Sequence, residues 1–203
     1  MKLQACLLPV SAIAALALAG YGPLVQIGGN AKPPASLLTL TATAVPRPYA
    51  GPAQISATMG IEVPAVPAAL QTLRIPVTTT ATEVTYLTGA TWSEQPNRQF
   101  QRVLADTLTA SGQPVVDLRQ SAIAPARTLA GTLRDFGLDM RNPASPMVRV
   151  RYDAQLTGGT KGSVALRRFE ATEAADTATP TAVAAALNRA ANTIAAQVAD
   201  WTK

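Results

Sequence analysis

The chain has 203 residues, 48% of them apolar, which suits one domain of ordinary size whose core needs no disulfide or metal staple. Its formal charge of +5 comes from basic residues that are scattered rather than run together, so charge makes no case for nucleic acid. Histidine is absent and Cys6 is the single cysteine, which excludes His-based acid–base catalysis, Ser-His-Asp and Cys-His arrangements, His-containing metal sites, internal disulfides and thiolate clusters.

Residues 1–20 read as an export signal. Met1-Lys2 is a minimal positive start, and residues 5–19 are apolar apart from Pro9 and Ser11. That run is about 15 residues long, short of the roughly 20 that span a bilayer, so it fits a signal-peptide core followed by a small-residue cleavage region. Ala17-Leu18-Ala19 suits ordinary signal peptidase. Leu18-Ala19-Gly20 is the lead of a bacterial lipobox, but the position that needs a cysteine holds Tyr21. Only a thiol forms the lipid thioether, so tyrosine is no substitute. Cys6 follows Leu3-Gln4-Ala5 but lies before the apolar run, where a lipobox would not be read. Residues 21–36, with Pro23, Gly28, Gly29, Pro33 and Pro34, have the composition of a tether.

The remainder, 37–203, is expected to fold as one domain. Residues 37–41 are a first strand candidate, 43–52 a proline-broken loop, and 55–63 a second strand-like run. Residues 73–77 and 82–87 are two further β segments, rich in Val, Ile, Thr and Tyr. Over 97–111 the period changes. Phe100, Val103, Leu104, Thr107 and Leu108 share one helical face, with Arg98, Arg102 and Asp106 opposite. Ser93 or Asn97 is the expected cap and Gly112 the stop. A short strand over 114–117 follows, then a longer one over 129–140 and a turn over 141–146.

Residues 147–157 alternate strictly. Val148, Val150, Tyr152, Ala154 and Leu156 point one way, and Arg149, Arg151, Asp153 and Gln155 the other, so one face meets the core and one meets water. Gly158-Gly159-Thr160-Lys161-Gly162 turns the chain into a hairpin returning over 163–171. Residues 180–203 close as an amphipathic helix with Thr179 as cap, burying Val183, Leu187, Ala190, Ile194, Val198 and Trp201. These elements predict an α+β fold: a mainly antiparallel sheet packed by two main amphipathic helices.

The chemistry is sparse. Asp135 and Asp139 share a strand face about 13 Å apart at ~3.3 Å per residue, too far to share a proton or a metal ion. Ser163 neighbours Lys161 but has no base, the glycine loop lacks phosphate-loop spacing, and no GxSxG, HExxH, CxxC or GxGxxG occurs. No catalytic, cofactor or metal site is therefore expected. Arg149, Arg151, Arg167 and Arg168 group as a basic patch on the hairpin, facing headgroups or an acidic partner or simply guarding an edge. Trp92 and Trp201 are expected in the core, Trp92 alternatively as a loop contact for a partner.

Four blocks in order resemble the ABC-type transport auxiliary lipoproteins, accessory components of MCE-type (Mla-like) lipid-transport systems in Gram-negative envelopes. They are Leu38-Thr39-Leu40-Thr41; Ile61-Glu62-Val63-Pro64 with 67–77; Glu83-Val84-Thr85-Tyr86 through Trp92-Ser93-Glu94; and Phe169-Glu170-Ala171 with the closing helix to Asp200-Trp201. The resemblance implies a non-catalytic, periplasmic and outer-membrane-associated protein. Its implied partners are an MCE-domain protein and an ABC permease and ATPase; apart from the resemblance, the basic hairpin on a small tethered domain makes phospholipid or a second copy further candidates. The alternative is an assembly or scaffold lipoprotein of another outer-membrane complex. Tyr21 stands where the family carries its lipidated cysteine.

Overall fold

The computed structural model describes residues 36–203 apart from 47, 49, 50, 122, 123, 160 and 161. The chain divides into two units, Met1–Pro33 and Pro34–Lys203, and every described residue lies in the second. The expected signal, the lipobox with Tyr21, Cys6, and the tether up to Ala35 therefore lie outside the described residues, as do Thr160 and Lys161 of the hairpin loop.

Prolines cut the first half of the domain into short pieces. A single 3-10 turn over Ile55–Ala57 leads into β1 (Met59–Ile61), another over Ala68–Leu70 precedes β2 (Pro76–Thr78), and β3 is Val84–Tyr86. Strand β1 ends at Ile61, short of the end that sequence alternation suggests, although Ala65, past Pro64, still makes an isolated parallel bridge with Thr132. Helix α1 is Pro96–Ala110, β4 is Val115–Val116, and the long strands are β5 (Arg127–Asp139), β6 (Met147–Gly158) and β7 (Ser163–Ala174). Helix α2, Pro180–Trp201, closes the chain.

Strand β5 organises the sheet. One of its edges pairs antiparallel with β6 from Arg127↔Gly158 to Asp139↔Met147, and β6 pairs antiparallel with β7. The other edge of β5 takes two short parallel partners end to end, β1 at Leu129 and β2 at Leu138. Beyond these lie β4, parallel to β1, and β3, antiparallel to β2. The sheet has seven strands, is open, and is antiparallel along all its long ladders. A register shift between Leu133 and Asp135 marks a bulge at Arg134, which brings Arg134 within reach of Asp153.

Both helices pack on one face. From α1, Phe100, Val103, Leu104 and Leu108 are buried as the helical period predicts, and from α2, Val183, Leu187, Ala190, Ile194 and Val198. Alanines 186, 190, 191 and 195 are also buried, and side chains this small let α2 approach its neighbours closely. Phe100 packs edge-on against Tyr152 of β6 at 5.3 Å. Trp201, expected to be buried, is half-buried and meets Phe169 edge-on at 5.6 Å.

Three expectations change. Residues 37–41 form no strand: Leu38 makes one isolated parallel bridge with Trp92, and side-chain amides of the helices hold the rest. The Leu40 N–H donates to Gln99 Oε1 (2.7 Å), that of Thr41 to Asn188 Oδ1 (2.9 Å) and that of Thr43 to Asn192 Oδ1 (2.7 Å). Neither Ser93 nor Asn97 caps α1. Gln95 holds the cap position without a side-chain bond, while Asn97 lies inside the helix and donates to the Pro64 carbonyl at 3.0 Å. The segment 55–63 is strand only from Met59, because a 3-10 turn occupies its start. Gly112 ends α1 as expected, at φ +90°, where a side chain would be strained. Thr179 stands at the α2 cap position, with Pro180 in the first turn.

Candidate functional surface

The face of the long strands away from the helices is the surface the sequence singled out. Alternation places Arg149, Arg151 and Asp153 of β6 on it, and the β6–β7 register sets Glu170 opposite Arg151 and Arg168 opposite Asp153. The β5–β6 register adds Asp135 opposite Arg151, and Asp139 lies within reach of Arg149.

These groups form an ionic lattice across three strands. Arg151 donates to Glu170 at 3.1 Å and lies 3.3 Å from Asp135. Asp153 accepts from Arg168 Nε at 2.6 Å and from Arg134 Nε at 3.0 Å. Asp139 is chelated by Arg141 and lies 3.6 Å from Arg149, which is equally far from Glu170. Hydrogen bonds from Arg141, aided by the charge of Arg149, hold the Asp139 carboxyl at about 2. Those from Arg168 and then Arg134 hold Asp153 at about 2, and the Arg151 bonds lower Glu170.

Five arginines thus meet four carboxylates, so the expected basic patch is nearly neutralised where it was placed. Arg167 does not belong to it. It points to the helix-covered side, where its guanidinium lies 5.0 Å above the Phe169 ring. Trp92 is 0% exposed and its ring lies 5.8 Å from Phe136. It is a core residue, and burial leaves no ring surface for a partner.

A groove of about 190 Å³ opens beside the lattice. Leu70, Pro76 and Val84 form its apolar wall, Asp135 and Asp139 its other side, and Arg149 also lines it. Its floor includes Gly137, where an added Cβ would stand 2.5 Å from the Pro76 carbonyl oxygen. The part played by Arg134, Arg141, Asp139 and Glu170 in the lattice was not read from the sequence. The equal two-residue steps of Arg149-x-Arg151-x-Asp153 and Arg168-x-Glu170 show each set on one face, but pairing them requires the register. Among the described residues no group of three or more acidic or sulfur ligands is placed to hold a metal ion.

Residues 38–199, nearly the whole described fold, match a family model described as ABC-type transport auxiliary lipoprotein component. Two of the crystal structures that resemble the fold illustrate the likeness. One is protein XCC0632 from Xanthomonas campestris, assigned to the DUF330 family, 24% identical with a TM-score of 0.71 over 83% of this chain and 94% of that one. The other is an uncharacterized protein, 14% identical with a TM-score of 0.64 over 83% of this chain and 100% of that one. No curated protein matches the sequence.

Proposed function

Because the chain belongs to the ABC-type transport auxiliary lipoprotein family, we propose that it is a non-catalytic envelope component of an MCE-type (Mla-like) lipid-transport ABC system. In this reading it resides in the periplasm, associated with the outer membrane, and binds and positions the MCE-domain protein and the permease and ATPase of the same system. The observation that carries the proposal is the family match over 38–199, which takes in both helices and all the strands. No described helix is long and apolar enough to cross a membrane.

The lattice face supports a binding role. Most of its charges are paired with one another, while Arg149 Nε is buried without a hydrogen-bond partner, so a partner docking there exchanges existing ion pairs for new ones. Such exchange favours selectivity over raw affinity. Tagged protein extracted from native membranes in mild detergent is expected to bring down the MCE protein and the ATPase. Protein that consistently emerges alone, or crosslinked only to an outer-membrane barrel, overturns the proposal.

A further inference from the structure

The lattice is one carboxylate short. Asp139 accepts hydrogen bonds from Arg141, Asp153 from Arg168 and Arg134, and Glu170 from Arg151, while Asp135 lies 3.3 Å from Arg151. Arg149 is left over. Its two ion pairs, with Asp139 and Glu170, are both 3.6 Å long, which is too far for a hydrogen bond. Both of those carboxylates have closer arginines. The Arg149 Nε is buried with no hydrogen-bond partner, and a guanidinium placed this way still has N–H donors to give. Arg149 also lines the groove of about 190 Å³, where Leu70, Pro76 and Val84 form the apolar wall. The floor beside it is open because Gly137, its partner across the β5–β6 ladder, has no side chain.

We propose that this groove binds a small monocarboxylate with an apolar body, the carboxylate on Arg149 and the body against Leu70, Pro76 and Val84. Charge sets the sign of the occupant. Arg134, Arg141, Arg149, Arg151 and Arg168 face four carboxylates, so one further negative charge completes the lattice. The planar guanidinium fork matches the two oxygens of a carboxylate. A phosphate dianion overfills the site, since Asp135 and Asp139 line the same groove and like charges at close range repel. A cation finds both of those carboxylates already held, by Arg151 and Arg141. Size sets the rest. At about 190 Å³ the groove is smaller than the roughly 300–1,000 Å³ of sites for drug-sized ligands, so it suits a short aliphatic body and not a long acyl chain. The inference does not depend on the transport proposal.

The test titrates the isotope-labelled full chain with hexanoate and follows backbone amide signals. Those of Thr78, Val84 and Gly137, which line the groove, are expected to shift saturably. Hexanol and hexylamine lack the anion, and acetate lacks the body. Each is expected to bind at least about ten-fold more weakly, the effect of one charge-assisted bond or a few buried methylenes. Arg149→Gln and Val84→Asp are each expected to weaken hexanoate by about the same factor. Both should leave the melting temperature nearly unchanged, because the Arg149 ion pairs are long and Val84 is 51% exposed. Arg98→Gln, the same charge change at an exposed position of α1, is expected to leave binding as it was. N-acetyl-leucine presents its carboxylate as a peptide terminus does, and whichever of it and hexanoate binds more tightly identifies the source. Amide signals that hexanoate leaves unmoved overturn the inference, as does binding that either groove variant leaves unchanged in a folded chain. So does tighter binding of inorganic phosphate or of hexylamine, which would assign the groove to another class of ion.

Discussion

Asp153 accepts two arginines, Arg168 and Arg134, and that pairing has a pH signature. Its carboxyl, like that of Asp139, sits at about 2 against an ordinary 3.8. The folded chain thus resists a proton that the unfolded chain accepts near 3.8. The stabilisation is complete above about pH 5 and is lost as pH falls from about 4 to about 2. Arg134, Arg141 and Arg168 are well exposed and Arg149 is half-buried, so solvent screens most of these pairs, their contribution at neutral pH is small, and salt reduces it further. Asp153→Asn should flatten the acid limb of stability measured by urea melts between about pH 5 and 2, while changing stability at pH 7 only slightly. An unchanged acid limb would show that the lattice contributes nothing to folding. At this scale the sequence was half legible. The step-two spacing of Arg149, Arg151 and Asp153 placed them on one face, but their partners come from β5 and β7. A bulge at Arg134, which no local pattern announces, decides which arginine Asp153 meets.

Helix α2 was the most legible element, because its apolar stripe runs for six turns and it starts at Thr179 and Pro180. The stripe also reports its depth. Leu187 is 0% exposed against the sheet and α1, so Leu187→Asp would bury a charge with no partner. That costs several kcal/mol, comparable with the whole stability of a domain. The variant is expected to lose its cooperative thermal transition. A retained melting temperature would mean that α2 is an exposed, detachable helix. Strand β6 and helix α1 were read as readily, since β6 alternates and α1 keeps a helical period over ten or more residues. The proline-rich part was not. Residues 37–41 carry strand-like alternation, yet past the Leu38 bridge the N–H groups of Leu40, Thr41 and Thr43 find the side-chain amides of Gln99, Asn188 and Asn192. Side chains nearly 60 to 150 positions away in sequence satisfied those N–H groups, and alternation cannot reveal such partners. The turn at Ile55–Ala57 displaced the start of β1 in the same way, because a run of apolar residues does not distinguish strand from a single helical turn.

On the scale of the whole molecule, the amide-clamped segment fixes where the chain enters the domain. Thr41 and Thr43 are tied to α2, and Leu38 to Thr91 beside the core residue Trp92. Leu38 is the first of these ties along the chain and the helix bonds follow it, while the lattice face lies on the opposite side of the sheet. Residues 21–36 span at most about 55 Å when extended, so an anchor at position 21 would hold the domain within that distance of a membrane surface. Position 21 is the one the family resemblance expects to be a lipidated cysteine, and here it is tyrosine. The chain as written should therefore carry no thioether lipid, and Tyr21→Cys should restore one. Each buried methylene contributes about 0.8 kcal/mol, so the several acyl chains of a lipoprotein hold far more firmly than a single chain. Radiolabelled palmitate with membrane fractionation of the two forms side by side decides it: label and membrane retention are expected only for Tyr21→Cys. Label on the Tyr21 form that disappears with Cys6→Ser would move the acylation site to Cys6. Absence of label on Tyr21→Cys would show that Leu18-Ala19-Gly20 is not read as a lipobox, leaving the envelope partners to hold the domain in place.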